Sequence, residues 1–220
     1  MKLLLLLAFP EPVRNQYRDR LAASFPELEI VAVDHHSKVE PHIADAEILM
    51  TFGAHMADRV LESGVNLKWI QALGTGVDGI ADSPALRDGV LVTNLRGLHC
   101  GSVSEAALTF MLALARNLPR SVRSQAAGRW DRFPVALLTG ATVGILGVGV
   151  IAEELAPRCK ALGMRVIGIT SGIRELPGFD LMRSRSELLD VVPELDYLVL
   201  LTPYRQRLVG ADQRSLHHVV

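Results

Sequence analysis

The sequence predicts an α/β protein with parallel sheets in two domains, and three observations carry that prediction. Short apolar runs alternate with longer amphipathic ones along most of the chain, the order of repeated strand-helix units around a parallel sheet. With 220 residues and 49% apolar side chains, the chain can fill one large core or two small ones. A long, heavily apolar helix pattern near residue 100 interrupts the alternation and places a domain border there.

The elements follow in order. "MKLLLLLAFPEPVR" carries one Lys and an apolar run from Leu3 to Phe9, too short for a membrane span and without a small-residue cleavage site after it. An unbroken run ended by Pro10 and Pro12 fits a strand buried on both faces, and residues 3–8 are read as that strand rather than as a signal peptide. Residues 29–33, 47–50, 67–71 and 90–93 read as further strands, with helices over 13–23 and 55–63 between them. "SVSEAALTFMLALARNLP" then has Ser102 and Glu105 at capping-box spacing, continues through Phe110, Met111, Leu114 and Leu118, and stops at Pro119. It is expected to be one long helix buried on two sides, with His99 lining the border. A second series follows, with strands over 142–146, 165–169 and 197–201.

Composition narrows the function. Net charge is −1 and the basic residues are scattered, which argues against a nucleic-acid partner and leaves small molecules. No stretch is long enough to cross a membrane. Cys100 and Cys159 lack metal-ligand or CxxC spacing and read as buried free thiols; no metal is expected, and a reducing cytoplasm suits them.

"GILGVGVIAEEL" follows an apolar strand and opens a helix over about 150–162. A glycine at the strand end permits a tight turn, a second lets backbone approach a pyrophosphate, and a small sixth residue lets helix pack on strand. Gly147, Gly149 and Ala152 fill these places, and the free N–H groups at the helix start, through Val150 and Ile151, face the phosphates. Gly163 closes the helix, and Pro157 should kink or open it. The next strand, "RVIGIT", decides the coenzyme. NAD sites place an acid about 20 residues past the first glycine; here stand Thr170, Ser171 and Arg174, two hydroxyls and a cation, so NADP is favoured over NAD. Arg174 also reads as an ordinary solvated loop residue beside a permissive site.

The blocks "LGTGVDGI", "TNLRGLHCGSVSEAALTFMLALARNLP", "TGATVGILGVGVIAEELAPRCKALGMRVIGIT" and "LDYLVLLTPY" stand in the order seen in the D-isomer-specific 2-hydroxyacid dehydrogenases. The chain resembles that family from about Leu67 to Gly210; glyoxylate and hydroxypyruvate reductases and phosphoglycerate dehydrogenase are members. The resemblance implies two Rossmann-like domains with a cleft between them, the second incomplete: a flavodoxin-like substrate domain over 1–100 and a dinucleotide-binding domain over 101–220. It implies hydride transfer between a nicotinamide coenzyme and a 2-keto or 2-hydroxy acid, and a homodimer in the intact family member. Thr75 and Gly76 resemble the loop whose amides hold the substrate carboxylate, a task that consecutive N–H groups in a glycine-flanked turn perform without a cation. From the residues alone, a turn in which Asp78 caps the next element is the better reading, and it is the neighbouring blocks that favour the carboxylate role. Thr202 and Pro203 resemble the segment along the adenosine half of the coenzyme.

The reaction also needs a proton donor and a polarising cation. In the family these are a His, supported by a Glu, and an Arg, all later than the "TP" segment, so the chain is expected to stop short of them. His217 and His218 do not match the family's histidine, and no catalytic residue is assigned. The alternative is a non-catalytic dinucleotide-binding or dimerisation module. The 197–201 strand is expected to leave an apolar edge open to association.

Overall fold

The computed structural model describes residues 1–52, 58–172 and 174–202. The chain divides into two compact units, Met1–Arg96 and Gly97–Val220.

The Met1–Arg96 unit contains β1 (Lys2–Leu6), α1 (Glu11–Ser24), β2 (Glu29–Val33), α2 (Glu40–Ile43), β3 (Ile48–Thr51), α3 (Asp58–Ser63), β4 (Trp69–Ala72) and β5 (Leu91–Thr93). All five strands are parallel, in the order β2-β1-β3-β4-β5. β1 is interior: Leu4 pairs with Val31 on one side and Leu49 on the other, and Leu4 and Leu5 are fully buried. Burial on both faces is the physical reason its sequence does not alternate. One face packs Leu4, Leu49 and Ile70 against Val39, Ile43, Val60 and Leu61 from the α2–α3 side; the other gathers Leu3, Leu5, Leu7, Ile48 and Leu73. The expected helix over 55–63 is seen as α3, and its first three positions lie outside the described residues.

The Gly97–Val220 unit contains α4 (Cys100–Ala115), α5 (Leu118–Ala126), β6 (Thr142–Leu146), α6 (Val150–Ala161), β7 (Arg165–Thr170), β8 (Leu181–Ser184), α7 (Leu188–Val191) and β9 (Tyr197–Leu200). Its strands are parallel, in the order β8-β7-β6-β9. α4 and α6 cover one face through Met111, Ala115, Ala152, Leu155 and Ala156; Leu188, Val191 and Val192 cover the other. Two aspartates set strand starts in the same way. Asp180 accepts from the Val166 N–H at 2.8 Å while donating its own N–H to Val166 O at 2.9 Å, and Asp196 does the same with Thr142 at 2.7 and 2.9 Å.

Three expectations are corrected. α4 starts at Cys100 with His99 as N-cap, so Ser102 lies inside the helix and its hydroxyl donates to His99 O at 3.1 Å; no capping box forms with Glu105. Pro119 opens α5 instead of ending one long helix, because a proline fits a helix's first turn, and the break falls at Asn117 in the left-handed region at φ 49°. α4 is not buried on two sides: Phe110, Leu112 and Leu114 are exposed, and its buried positions are Cys100, Ser104, Met111 and Ala115. Pro157 does not end α6, which runs on through it, and the proline nitrogen faces Gly178 of the segment between β7 and β8; a Cβ on Gly178, at φ 87°, would fall 3.1 Å from that nitrogen. Gly163 does close α6, at φ 76°, its N–H bonded to Lys160 O and that of Met164 to Cys159 O.

Candidate functional site

In the second unit the strand order reverses at β6, which lies between β7 and β9. Ligands of such sheets sit outside the carboxyl ends of the strands at this point. The turn after β6 and the segment after β9 meet there: a Cβ on Gly147 would lie 2.9 Å from the carbonyl carbon of Leu201 and from the nitrogen of Thr202, and Gly147 has φ 98°. Only glycine fits both the conformation and the space. Gly149, by contrast, is the N-cap of α6 and a Cβ there would meet none of the described residues within 4 Å. That vacant approach lies beside the first N–H groups of α6, at Val150 and Ile151, which have no partner within the helix. Ala152 is fully buried, so the helix lies close on the sheet. The cradle fits a pyrophosphate: a tight turn, an unobstructed backbone and free amides at the positive end of a helix dipole.

At the end of β7, Thr170 is half-buried and Ser171 exposed. Arg174 does not stand alone in solvent: its guanidinium donates to the Glu153 carboxylate in the first turn of α6 at 2.5 Å. The neighbouring Glu154 is committed elsewhere, accepting from Arg158 at 2.7 Å. Sequence reading missed the Glu153 partnership, although two adjacent acids at a phosphate-facing helix start were its visible signal. Thr202 lies beside Gly147, and Pro203 lies outside the described residues, as do His217 and His218.

In the first unit the order reverses at β1 and β3, beyond whose ends Phe9 and Phe52 meet edge to face at 5.3 Å. The Gly74–Asp78 turn follows β4 and approaches Phe52, whose carbonyl lies 3.8 Å from a Cβ built on Gly74. Its carbonyls are tied down: Leu95 N–H donates to Gly74 O at 3.1 Å and the Asn94 amide to Thr75 O at 2.7 Å. Thr75 and Gly76 are exposed, and no described residue accepts from their N–H groups. The Asp78 carboxylate lies 3.2 Å from a Cβ built on Gly76, so a negative charge borders this turn. Asp78 does not act as the cap: the N–H groups of Ile80 and Ala81 donate to Val77 O at 3.1 and 3.0 Å, and Asp82 accepts from Gly79 N–H at 2.6 Å. The two turns belong to separate compact units, the Gly147–Gly149 turn to Gly97–Val220 and the Gly74–Asp78 turn to Met1–Arg96.

Parallel strands, glycine turn and switch point define a dinucleotide-binding α/β protein of the Rossmann type. Residues 108–212 match the model of the D-isomer specific 2-hydroxyacid dehydrogenase NAD binding domain. The D-3-phosphoglycerate dehydrogenase of Methanocaldococcus jannaschii is 34% identical over 79% of this chain and 34% of its own length. The hydroxypyruvate reductase of Thermotoga maritima is 31% identical over 84% of this chain and 55% of its own length. The crystal structure of a D-isomer specific 2-hydroxyacid dehydrogenase family protein from Aeromonas salmonicida superposes with a TM-score of 0.80 at 31% identity, covering 96% of this chain and 68% of that one. The chain belongs to the D-isomer specific 2-hydroxyacid dehydrogenase family, and it spans between about a quarter and a third of the length of the curated phosphoglycerate dehydrogenases it matches. Among the described residues no helix is long and apolar enough to cross a membrane.

Proposed function

We propose that this chain is the coenzyme- and acid-binding part of an oxidoreductase that transfers a hydride between a nicotinamide coenzyme and a 2-keto or 2-hydroxy acid. The observation that carries the reading is the open Gly149 cradle beside the Gly147–Thr202 contact at the switch point. The backbone of Gly149, Val150 and Ile151 holds the pyrophosphate; Thr170, Ser171 and Arg174 hold the adenosine ribose, and Thr202 and Pro203 flank the adenosine. The bound nicotinamide supplies or accepts the hydride. Residues 1–100 form the substrate domain, where the Thr75 and Gly76 amides hold the acid's carboxylate, and 101–220 form the coenzyme domain. Arg174 favours NADP over NAD, because it is the one cation assigned to the ribose end and no acid stands at Thr170.

Fluorescence titration of the 220-residue protein tests this. NADPH and NADH should both bind, NADPH more tightly, and glyoxylate or hydroxypyruvate should perturb the bound coenzyme. Failure of both coenzymes to bind would overturn the reading.

The partner in solution is a second copy of the chain. The family resemblance supports a homodimer, and large apolar side chains are exposed on α4 (Phe110 and Leu114), on α5 (Val122) and on the segment after them (Trp130). Apolar side chains of this size, displayed in this number, mark an interaction surface.

A further inference from the structure

We propose that Glu153 selects between coenzymes: it holds Arg174 at the ribose end of the site and has to release it to a 2'-phosphate. The proposal rests on the dinucleotide reading above. Arg174 lies just beyond β7, and the acid it reaches is 21 positions earlier in the chain, in the first turn of the helix that faces the pyrophosphate. Of the two adjacent acids only Glu153 turns this way, since Glu154 pairs with Arg158 one turn on. Both partners are partly solvated, with 58% of the Arg174 side chain and 39% of the Glu153 side chain exposed. An ion pair so placed is weak and exchanges partners readily.

The two coenzymes meet this pair differently. A 2'-phosphate carries about −1.5 to −2 charges and three acceptor oxygens, so it outcompetes a single carboxylate for the guanidinium. NADP therefore binds by breaking the pair, and Glu153, once released, remains as a negative charge beside an anionic ligand. NAD carries a neutral 2'-hydroxyl and leaves the pair closed. Glu153 thus weakens NADP binding at both steps and leaves NAD nearly untouched. It is a specificity-determining residue that acts on the coenzyme through Arg174.

Dissociation constants for NADPH and NADH, measured by fluorescence titration, test this in the wild type, Glu153→Gln, Arg174→Ala and the double variant. Glu153→Gln keeps the side chain's size on a partly exposed helix surface, and a thermal melt checks that the fold is retained. NADPH should bind about two- to five-fold more tightly to Glu153→Gln, with NADH changed less. In the Arg174→Ala background the same substitution should give a smaller gain. An NADPH-to-NADH ratio unchanged by Glu153→Gln, or an equal gain with and without Arg174, overturns the proposal while leaving the dinucleotide site standing. Absence of binding by either coenzyme to the wild type overturns both.

Discussion

Gly147 approaches Thr202 so closely that a Cβ on the glycine would fall 2.9 Å from both the backbone nitrogen and the methyl group of the threonine. The turn after β6 is therefore fixed by the segment after β9, although more than fifty residues of chain separate them. Gly149, two positions on, would bring a Cβ within 4 Å of none of the described residues and has extended backbone that any residue adopts.

The two glycines should part company when each is changed to alanine. Gly147→Ala combines a left-handed conformation with a backbone clash and should cost about 1–3 kcal/mol of stability. Gly149→Ala should leave stability within about 0.5 kcal/mol, the range for surface changes, yet weaken NADPH at least about tenfold by placing a methyl where the pyrophosphate approaches. Urea unfolding and coenzyme titration on both variants read the two effects separately. Wild-type affinity in Gly149→Ala would remove Gly149 from the cradle.

Asp180 makes acid stability a readout of how β7 begins. The Lys160 ammonium donating to it, together with the Val166 N–H, holds its carboxyl below the ordinary carboxylate value. A carboxyl lowered in the folded state contributes stability that is fully present above the unfolded value of about 3.9 and is lost as pH falls through the lower folded value. Asp180→Ala strands the N–H of the fully buried Val166 and should cost about 1–3 kcal/mol at pH 7. The gap between wild type and variant should narrow as pH drops below about 4. A gap that widens on acidification would contradict the assignment.

Cys159 is fully buried in the α6 core, and burial pushes its thiol up to about 11. At pH 8 it is a neutral thiol without access to reagent, and reactivity needs the thiolate. Ellman titration of the native protein should leave Cys159 unmodified, while the denatured protein releases both thiols; Cys159→Ser and Cys100→Ser variants assign the signals. Rapid native labelling of Cys159 would show that α6 opens readily.

The strands were legible where burial dictates composition. β1, β6 and β7 are interior, their residues are apolar regardless of position, and runs such as "LLLLL" and "TVGIL" announce it. β8 was not legible: "LMRS" is four half-buried residues at the end of the strand order, and half-burial leaves neither a run nor a clean alternation. Gly147 and Gly149 could be placed from spacing because their roles depend on neighbours along the chain. The Arg174–Glu153 pair could not, since it joins two elements whose side chains meet only after β6 and β7 are in register. The long helix was misjudged for a related reason. Apolar composition signals contact of some kind, and the sequence of α4 does not say whether its outer face meets this chain or another.

That outer face supplies the last prediction. Phe110 and Leu114 are one helical turn apart on α4, 67% and 65% exposed, and Trp130 is 93% exposed. The segment carrying Trp130 is held in place: Asp131 accepts from Arg120 at 2.8 Å and from Ser124 at 3.3 Å, and the Arg120 guanidinium stacks 4.4 Å from the Phe133 ring. An apolar surface displayed by an anchored segment loses little conformational freedom on docking, which favours association. In a two-fold dimer the same patch faces its own copy, so one introduced charge is met by an equal one. Phe110→Glu combined with Leu114→Glu should therefore raise the dimer dissociation constant by about a hundredfold or more, since like charges across an interface cost several kcal/mol. Neither side chain belongs to the buried core of its unit, so the circular dichroism spectrum and coenzyme affinity should stay close to wild type. Size-exclusion chromatography with light scattering over a concentration series gives the answer. A wild type that stays monomeric at every concentration, or a dimer that survives both glutamates, would place the contact elsewhere on the chain.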